Sequence, residues 1–186
     1  MKSCCFIGHR KIPNDVNIEN NVIEIVKKLI VEENVRIFNF GSRSGFDTLC
    51  HSIVTDLKEK YKDIQRRAYT CRSESCTLES ERAYREEIYS HFRKCPVTLL
   101  GVEEEVEHKT KYSSGKASYV ERNYAMIDDS DICVFYYNEE YKPPLRKQCR
   151  SALSTYQPKS GTKLAYDYAF KKKKKIINIY MHYKKS

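Results

Sequence analysis

No apolar run in this 186-residue chain approaches the ~20 residues that a membrane-spanning helix requires, so no membrane partner is expected. The short apolar run in the opening MKSCCFIGHRK is broken by His9, Arg10 and Lys11, and no small-residue cleavage site follows it. That pattern does not predict a secretory signal, and a cytoplasmic location is expected. Eight cysteines are present but no CxxC pair, and Cys71 and Cys76 stand without a second pair at zinc-finger spacing. Cys4, Cys5 and Cys133 lie inside apolar runs and read as buried, reduced thiols. Neither a disulfide framework, nor a metal site, nor a resident cofactor is expected. There is no internal repeat, and both GxGxxG and GxxxxGK[ST] are absent.

Hydrophobic residues make up 40% of the chain, enough for one packed core, and the length suits a single domain over 1–186. The formal charge is +9, from 34 Lys+Arg against 25 Asp+Glu. Part of this excess is local, in the five-lysine run Lys171 to Lys175 and in Lys184 and Lys185. The run directly abuts an apolar strand. It reads as a solvated helix end, where cations suit the negative pole of the dipole. The competing reading is weak, nonspecific contact with nucleic acid.

Hydrophobic periodicity predicts alternating elements. Residues 3–7 (SCCFI) form an apolar run that stops at Gly8, and Ile18, Val22, Ile25, Val26, Leu29 and Ile30 then recur at helical spacing. VRIFNF at 35–40 reads as a strand, and Phe46, Leu49, Cys50, Ile53, Val54 and Leu57 form a second helical stripe. IQRRAYT at 64–70 is a third strand, 79–93 is helix-compatible, and PVTLLG at 96–101 is a fourth strand candidate. The charged stretch 103–117 has no period and reads as a mobile loop. A helix near 119–127 follows, then the strand DICVFYY at 131–137. Residues 138–160 contain three prolines and no period, and read as a flexible insertion. Residues 161–170 read as helix, and IINIYM at 176–181 as the last strand. Continuous apolar strands alternating with helices predict an α/β, Rossmann-like fold. Its mostly parallel sheet has about six strands, with helices on both faces.

The polar motifs fall after the strands, where open parallel sheets bind ligands. Gly8-His9-Arg10 follows the first strand, and Gly41-Ser42-Arg43-Ser44-Gly45 follows the second and opens a helix. Arg72 follows the third strand, and Arg122 and Asn123 are expected near the start of the helix after the fourth. Ser160-Gly161-Thr162 opens the helix after the fifth. Glycines let backbone N–H groups approach an anion, helix N-termini favour phosphate, and arginines pair with phosphate in a fork. Asp47 either caps the second helix or accepts a ribose hydroxyl. Tyr112, Tyr119 and Tyr124 are available either to pack or to stack on a base. His9 reads as a hydrogen-bonding pocket or loop residue rather than a base, because no neighbour in sequence orients it.

The segments CFIGHRKIP, FNFGSRSGFDTLC, YVERNYAMIDDSDICVFYYNE and SGTKLAYDYAFKKKKKIINI, in this order, resemble the SLOG superfamily. Within it they look most like the YspA/YpsA-like branch, over nearly the whole chain. The resemblance implies a Rossmann-like domain that binds nucleotides or nucleotide-derived ligands, and it admits a homo-oligomer. It maps Gly8, His9, Arg10, Gly41, Gly45, Asp47, Arg122, Asn123, Gly161 and Thr162 to the pocket. Two departures stand out. The related LOG phosphoribohydrolases carry a catalytic Glu where this chain has Ala165, and the segment 138–160 is usually short in this branch.

Three functions are weighed on these grounds. The first is a binding module (a sensor, carrier or sequestering protein) for a nucleotide-like small molecule. The second is an N-glycosidic nucleotide hydrolase of a non-standard kind, with Glu74 or Asp47 replacing the missing acid. The third is a DNA-binding protein resembling the DprA side of the superfamily, for which no base-reading motif is present.

Overall fold

A computed structural model describes residues 1–13, 15–41, 44–71, 102–108, 111, 116–147 and 155–180. The central strand is β1 (Lys2–Gly8), and its five residues from Ser3 to Ile7 are all buried. Apolar side chains on both pleat faces leave β1 no solvent-facing side, so it needs a neighbour on each edge and a layer on each face. It pairs in parallel with β2 (Val35–Phe40) on one edge and with β5 (Ile132–Tyr136) on the other. Beyond β2 lie β3 (Gln65–Cys71) and β4 (Glu104–His108), and beyond β5 lies β8 (Lys175–Asn178), every pair parallel. The order β4-β3-β2-β1-β5-β8 is that of a Rossmann-like α/β fold. The chain builds outward from β1 and then returns to its other edge, so strand order reverses between β1 and β5.

Helix α1 (Val16–Val31) begins at Asp15, whose side chain accepts from the Asn17 N–H at 2.8 Å. Its stripe Ile18, Val22, Val26, Leu29 and Ile30 is buried. Helix α2 (Gly45–Lys60) lies on the same face as α1, over Cys4, Phe6, Phe38, Phe40, Ile132 and Val134. Phe6 stacks on Phe38 and Phe40 with centroids 6.0 and 5.3 Å apart. The opposite pleat face carries Cys5, Ile7, Cys133, Phe135 and Tyr137. There α3 (Lys116–Asp128) contributes Met126 and Ile127, and α4 (Gly161–Lys171) contributes Ala165 and Ala169. Among the described residues no helix is long and apolar enough to cross a membrane.

Two expectations are corrected. The stretch 103–117 is not a featureless loop: it holds β4 and the first residues of α3. Its charge hid the strand, because the carboxylates are answered from β3. Arg66 forks onto Glu103, with Nη2 to Oε1 at 2.7 Å and Nε to Oε2 at 3.3 Å, and Arg67 Nε meets Glu104 at 2.5 Å. β4 ends the sheet on that side among the described residues, and an edge strand tolerates such charges. Second, α3 starts earlier than the sequence suggests, so Arg122 lies in mid-helix rather than near its start. Within the insertion, the described residues include a short antiparallel ribbon of β6 (Arg146–Lys147) and β7 (Thr155–Tyr156). Gln157 donates to the Pro143 carbonyl at 2.6 Å and ties the ribbon to its own base. The helix expected at 79–93 and the strand expected at 96–101 fall outside the described residues.

The lysine run forms the turn from α4 into β8, with Lys173 at φ 55°. Lys172 pairs with Asp128 at 2.9 Å, and Lys174 donates to the Asp128 carbonyl at 2.9 Å. Lys175 and Lys2 both bind the Glu33 carboxylate, which Lys175 first and Lys2 second hold down at a pKa of about 2. One acidic side chain thereby ties the starts of β1 and β8 to the α1–β2 turn.

His51, on α2, is 3% exposed, and its ring meets Phe40 edge-on at 4.9 Å. Neither ring nitrogen has a hydrogen-bond partner among the described residues. Burial, aided by the Arg66 charge, pushes its pKa down to about 4. The folded imidazole is therefore neutral where the unfolded one, with a pKa near 6.5, already binds a proton. Stability falls as pH drops from about 6.5 to about 4, by on the order of 2–3 kcal/mol. Urea unfolding at pH 7.5 and 4.5 should show that loss shrinking in His51→Leu. Equal losses in the two proteins would contradict this assignment.

Candidate functional site

The parallel strands all end on one edge of the sheet, and the reversal between β1 and β5 opens a crevice there. β1 ends at Gly8 because α2 presses against it. A Cβ at Gly8 would lie 2.5 Å from the Phe46 Cβ. β2 ends near Gly41, where a Cβ would lie 2.9 Å from the Met126 Sδ and 3.3 Å from the Arg122 Nε. Absence of a side chain at 41 thus lets α3 bring Arg122 over the strand end. The two loops are tied together by the Gly45 N–H, which donates to the Arg10 carbonyl at 2.8 Å.

Ser44, not Asp47, caps α2: its Oγ accepts from the Asp47 N–H at 3.1 Å. Asp47 is 3% exposed, and its carboxylate accepts the Gly41 N–H at 3.3 Å. It braces the β2–α2 loop from behind. Ser160 caps α4 in the same way, accepting from the Lys163 N–H at 3.0 Å. The first N–H groups of a helix have no acceptor within it. Those of Gly161 and Thr162 stand at the start of α4, and both residues line the crevice.

The crevice is a cavity of 740 Å³, within the range of small-ligand pockets. Of the residues expected in a site, it brings together Gly8, Arg10, Ser44, Arg122, Asn123, Ser160, Gly161 and Thr162. Arg122 is 1% exposed, donates to the Asn123 Oδ1 at 3.0 Å, and lies 5.4 Å from the Tyr119 ring centroid. Gly41, Gly45 and Asp47 are not in the lining and form the framework behind it. Ser42, Arg43, Arg72, Glu74 and Tyr112 lie outside the described residues. Tyr119 lines the cavity, whereas Tyr124 is used in packing, stacked on Tyr168 at 3.9 Å between α3 and α4.

His9 is also outside the lining, and it does have an orienting partner. The Asn138 N–H donates to its Nε2 at 3.0 Å, and its ring sits 4.6 Å from that of Tyr141. Burial lowers its pKa, so the ring is held neutral as an acceptor. His9 anchors the start of the insertion to the end of β1. Ala165, where the related hydrolases have Glu, is 1% exposed in the apolar cluster under α4.

Eight lining residues escaped the sequence reading: Ile7, Val120, Lys116, Tyr141, Pro143, Pro144, Arg146 and Lys159. The last five come from the insertion, which folds back over the crevice. Lys116 donates to the Lys159 carbonyl, and its pKa is lowered by partial burial and by the nearby Arg146 charge. Only the Pro143-Pro144 pair, a stiff segment separated from Arg146 by Leu145 alone, carried a local signal. Among the described residues no group of three or more His, Cys, Asp or Glu could hold a metal ion.

The two close glycines predict unequal costs. Gly8→Ala drives a Cβ into the backbone-proximal Phe46 Cβ and should destabilise the fold by about 1–3 kcal/mol. Gly41→Ala meets chiefly the end of a flexible Met126 side chain and should cost less. Chemical denaturation of both variants measures the order, and a Gly8→Ala midpoint equal to wild type would contradict the packing argument.

No protein-family model matches the chain, and no curated protein matches it either.

Proposed function

We propose that this chain binds a nucleotide or nucleotide-derived phosphate ligand in the β1–β5 crevice, acting as a sensor, carrier or sequestering module. One observation carries the reading. The start of α4, the buried guanidinium of Arg122, Arg10, and the rings of Tyr119 and Tyr141 all line one cavity at the reversal of strand order. Helix-start N–H groups and arginines suit phosphate oxygens, and the tyrosine rings suit the face of a base. The resemblance to the SLOG superfamily points the same way.

Two observations favour binding without turnover. Cleaving an N-glycosidic bond requires a positioned acid or base at the sugar. Asp47 is engaged with the Gly41 N–H behind the cavity, and Ala165 offers a methyl group within an apolar cluster. The lysine run gives the nucleic-acid reading little support, because Lys172, Lys174 and Lys175 are engaged within the fold.

Arg10 is exposed at the cavity wall, so its removal leaves the core intact. Arg10→Ala should weaken the tightest-binding nucleotide of a panel by about 1.5–3 kcal/mol, roughly tenfold or more in Kd. Its unliganded melting temperature should stay at the wild-type value. Calorimetric titration measures this, and unchanged affinity in Arg10→Ala would contradict the proposed site.

A further inference from the structure

Among the described residues, the lining of the crevice includes five cationic side chains, Arg10, Lys116, Arg122, Arg146 and Lys159, and no Asp or Glu. Lys159 forms an ion pair with Asp167 at 3.7 Å, but both side chains of that pair are exposed and such pairs contribute little. A single phosphate carries at most two negative charges. That is fewer than the five positive charges gathered in this partly enclosed space, where like charges repel more strongly than in water.

The cations fall into two groups. Arg10 follows β1 and Arg122 sits in mid-α3, so both belong to the strand-end side of the crevice, with the start of α4. Lys116, Arg146 and Lys159 belong to the rim formed where the insertion meets α3. Lys116 is tied to the Lys159 carbonyl, and Arg146 is close enough for its charge to be felt at Lys116. Both Lys116 and Arg146 are exposed. Folding the insertion over the crevice gathers like charges, an arrangement that an anion bridging the two groups would stabilise.

We infer that the ligand carries at least two phosphate groups, one at the start of α4 with Arg10 and Arg122, and the next against Lys116 and Arg146. This rests on the nucleotide reading of the crevice and narrows it to di- or triphosphates and pyrophosphate-bridged compounds.

The test is calorimetric titration, without divalent cations, against AMP, ADP and ATP, the corresponding guanosine series, inorganic phosphate and pyrophosphate. For at least one nucleoside, the diphosphate should bind about tenfold or more tightly than the monophosphate. In the double variant Lys116→Gln, Arg146→Gln, that ratio should collapse to about threefold or less. Both positions are exposed, and a thermal melt matching wild type establishes that the variant is folded. Mono- and diphosphates binding equally to wild type would overturn the inference and leave the nucleotide site standing. Survival of the ratio in the folded double variant would also overturn it. Pyrophosphate binding without any nucleotide binding would place the anion correctly and remove the nucleoside. Binding of no member of the panel would overturn both readings together.

Discussion

Every other feature depends on the burial of β1 on both faces and both edges. A strand with Cys4 and Phe6 on one side and Cys5 and Ile7 on the other has no stable exposure to water. Parallel neighbours on each edge then require crossovers, and crossovers require helices on both faces. Because β2 takes one edge and β5 the other, the chain must reverse direction at β1. The crevice is the space that this reversal leaves. Gly8 ends the strand flush against Phe46, and Gly41 lets Arg122 close over it, so the packing that fixes the sheet also shapes the cavity floor.

Charge is distributed in two regimes. Around the sheet the cations are matched: Lys2 and Lys175 to Glu33, Arg66 to Glu103, Arg67 to Glu104, Lys172 to Asp128. These pairs stitch strand starts and an outer strand, and being partly exposed each contributes modestly. Among the described residues, the crevice lining carries cations and no carboxylate.

The sheet was legible where strands are apolar and continuous. β1, β2 and β5 stand out in the sequence, and the helices before and after β2 show their buried stripes. β4 was not legible, because EEVEH has the composition of a loop until Arg66 and Arg67 are seen beside it. The cavity lining was legible at strand ends and helix starts, where Gly8, Arg10, Ser160, Gly161 and Thr162 lie. It was illegible where tertiary contacts decide. The group that orients His9 is a backbone N–H at Asn138, far along the chain, and any residue but proline supplies one. Lys116 and Arg146 reach the cavity only because the insertion folds back, and no periodicity announces that.

The central claim is that an anionic ligand seats at the start of α4 in the β1–β5 crevice. Its most direct test is the amide chemical shift of Gly161 and Thr162 by NMR during titration with ADP. The account predicts that both amides, and that of Gly8, move together and saturate with one dissociation constant. Shifts confined to Lys171 through Lys175, or shifts that grow without saturating while Gly161 and Thr162 stay still, would contradict it.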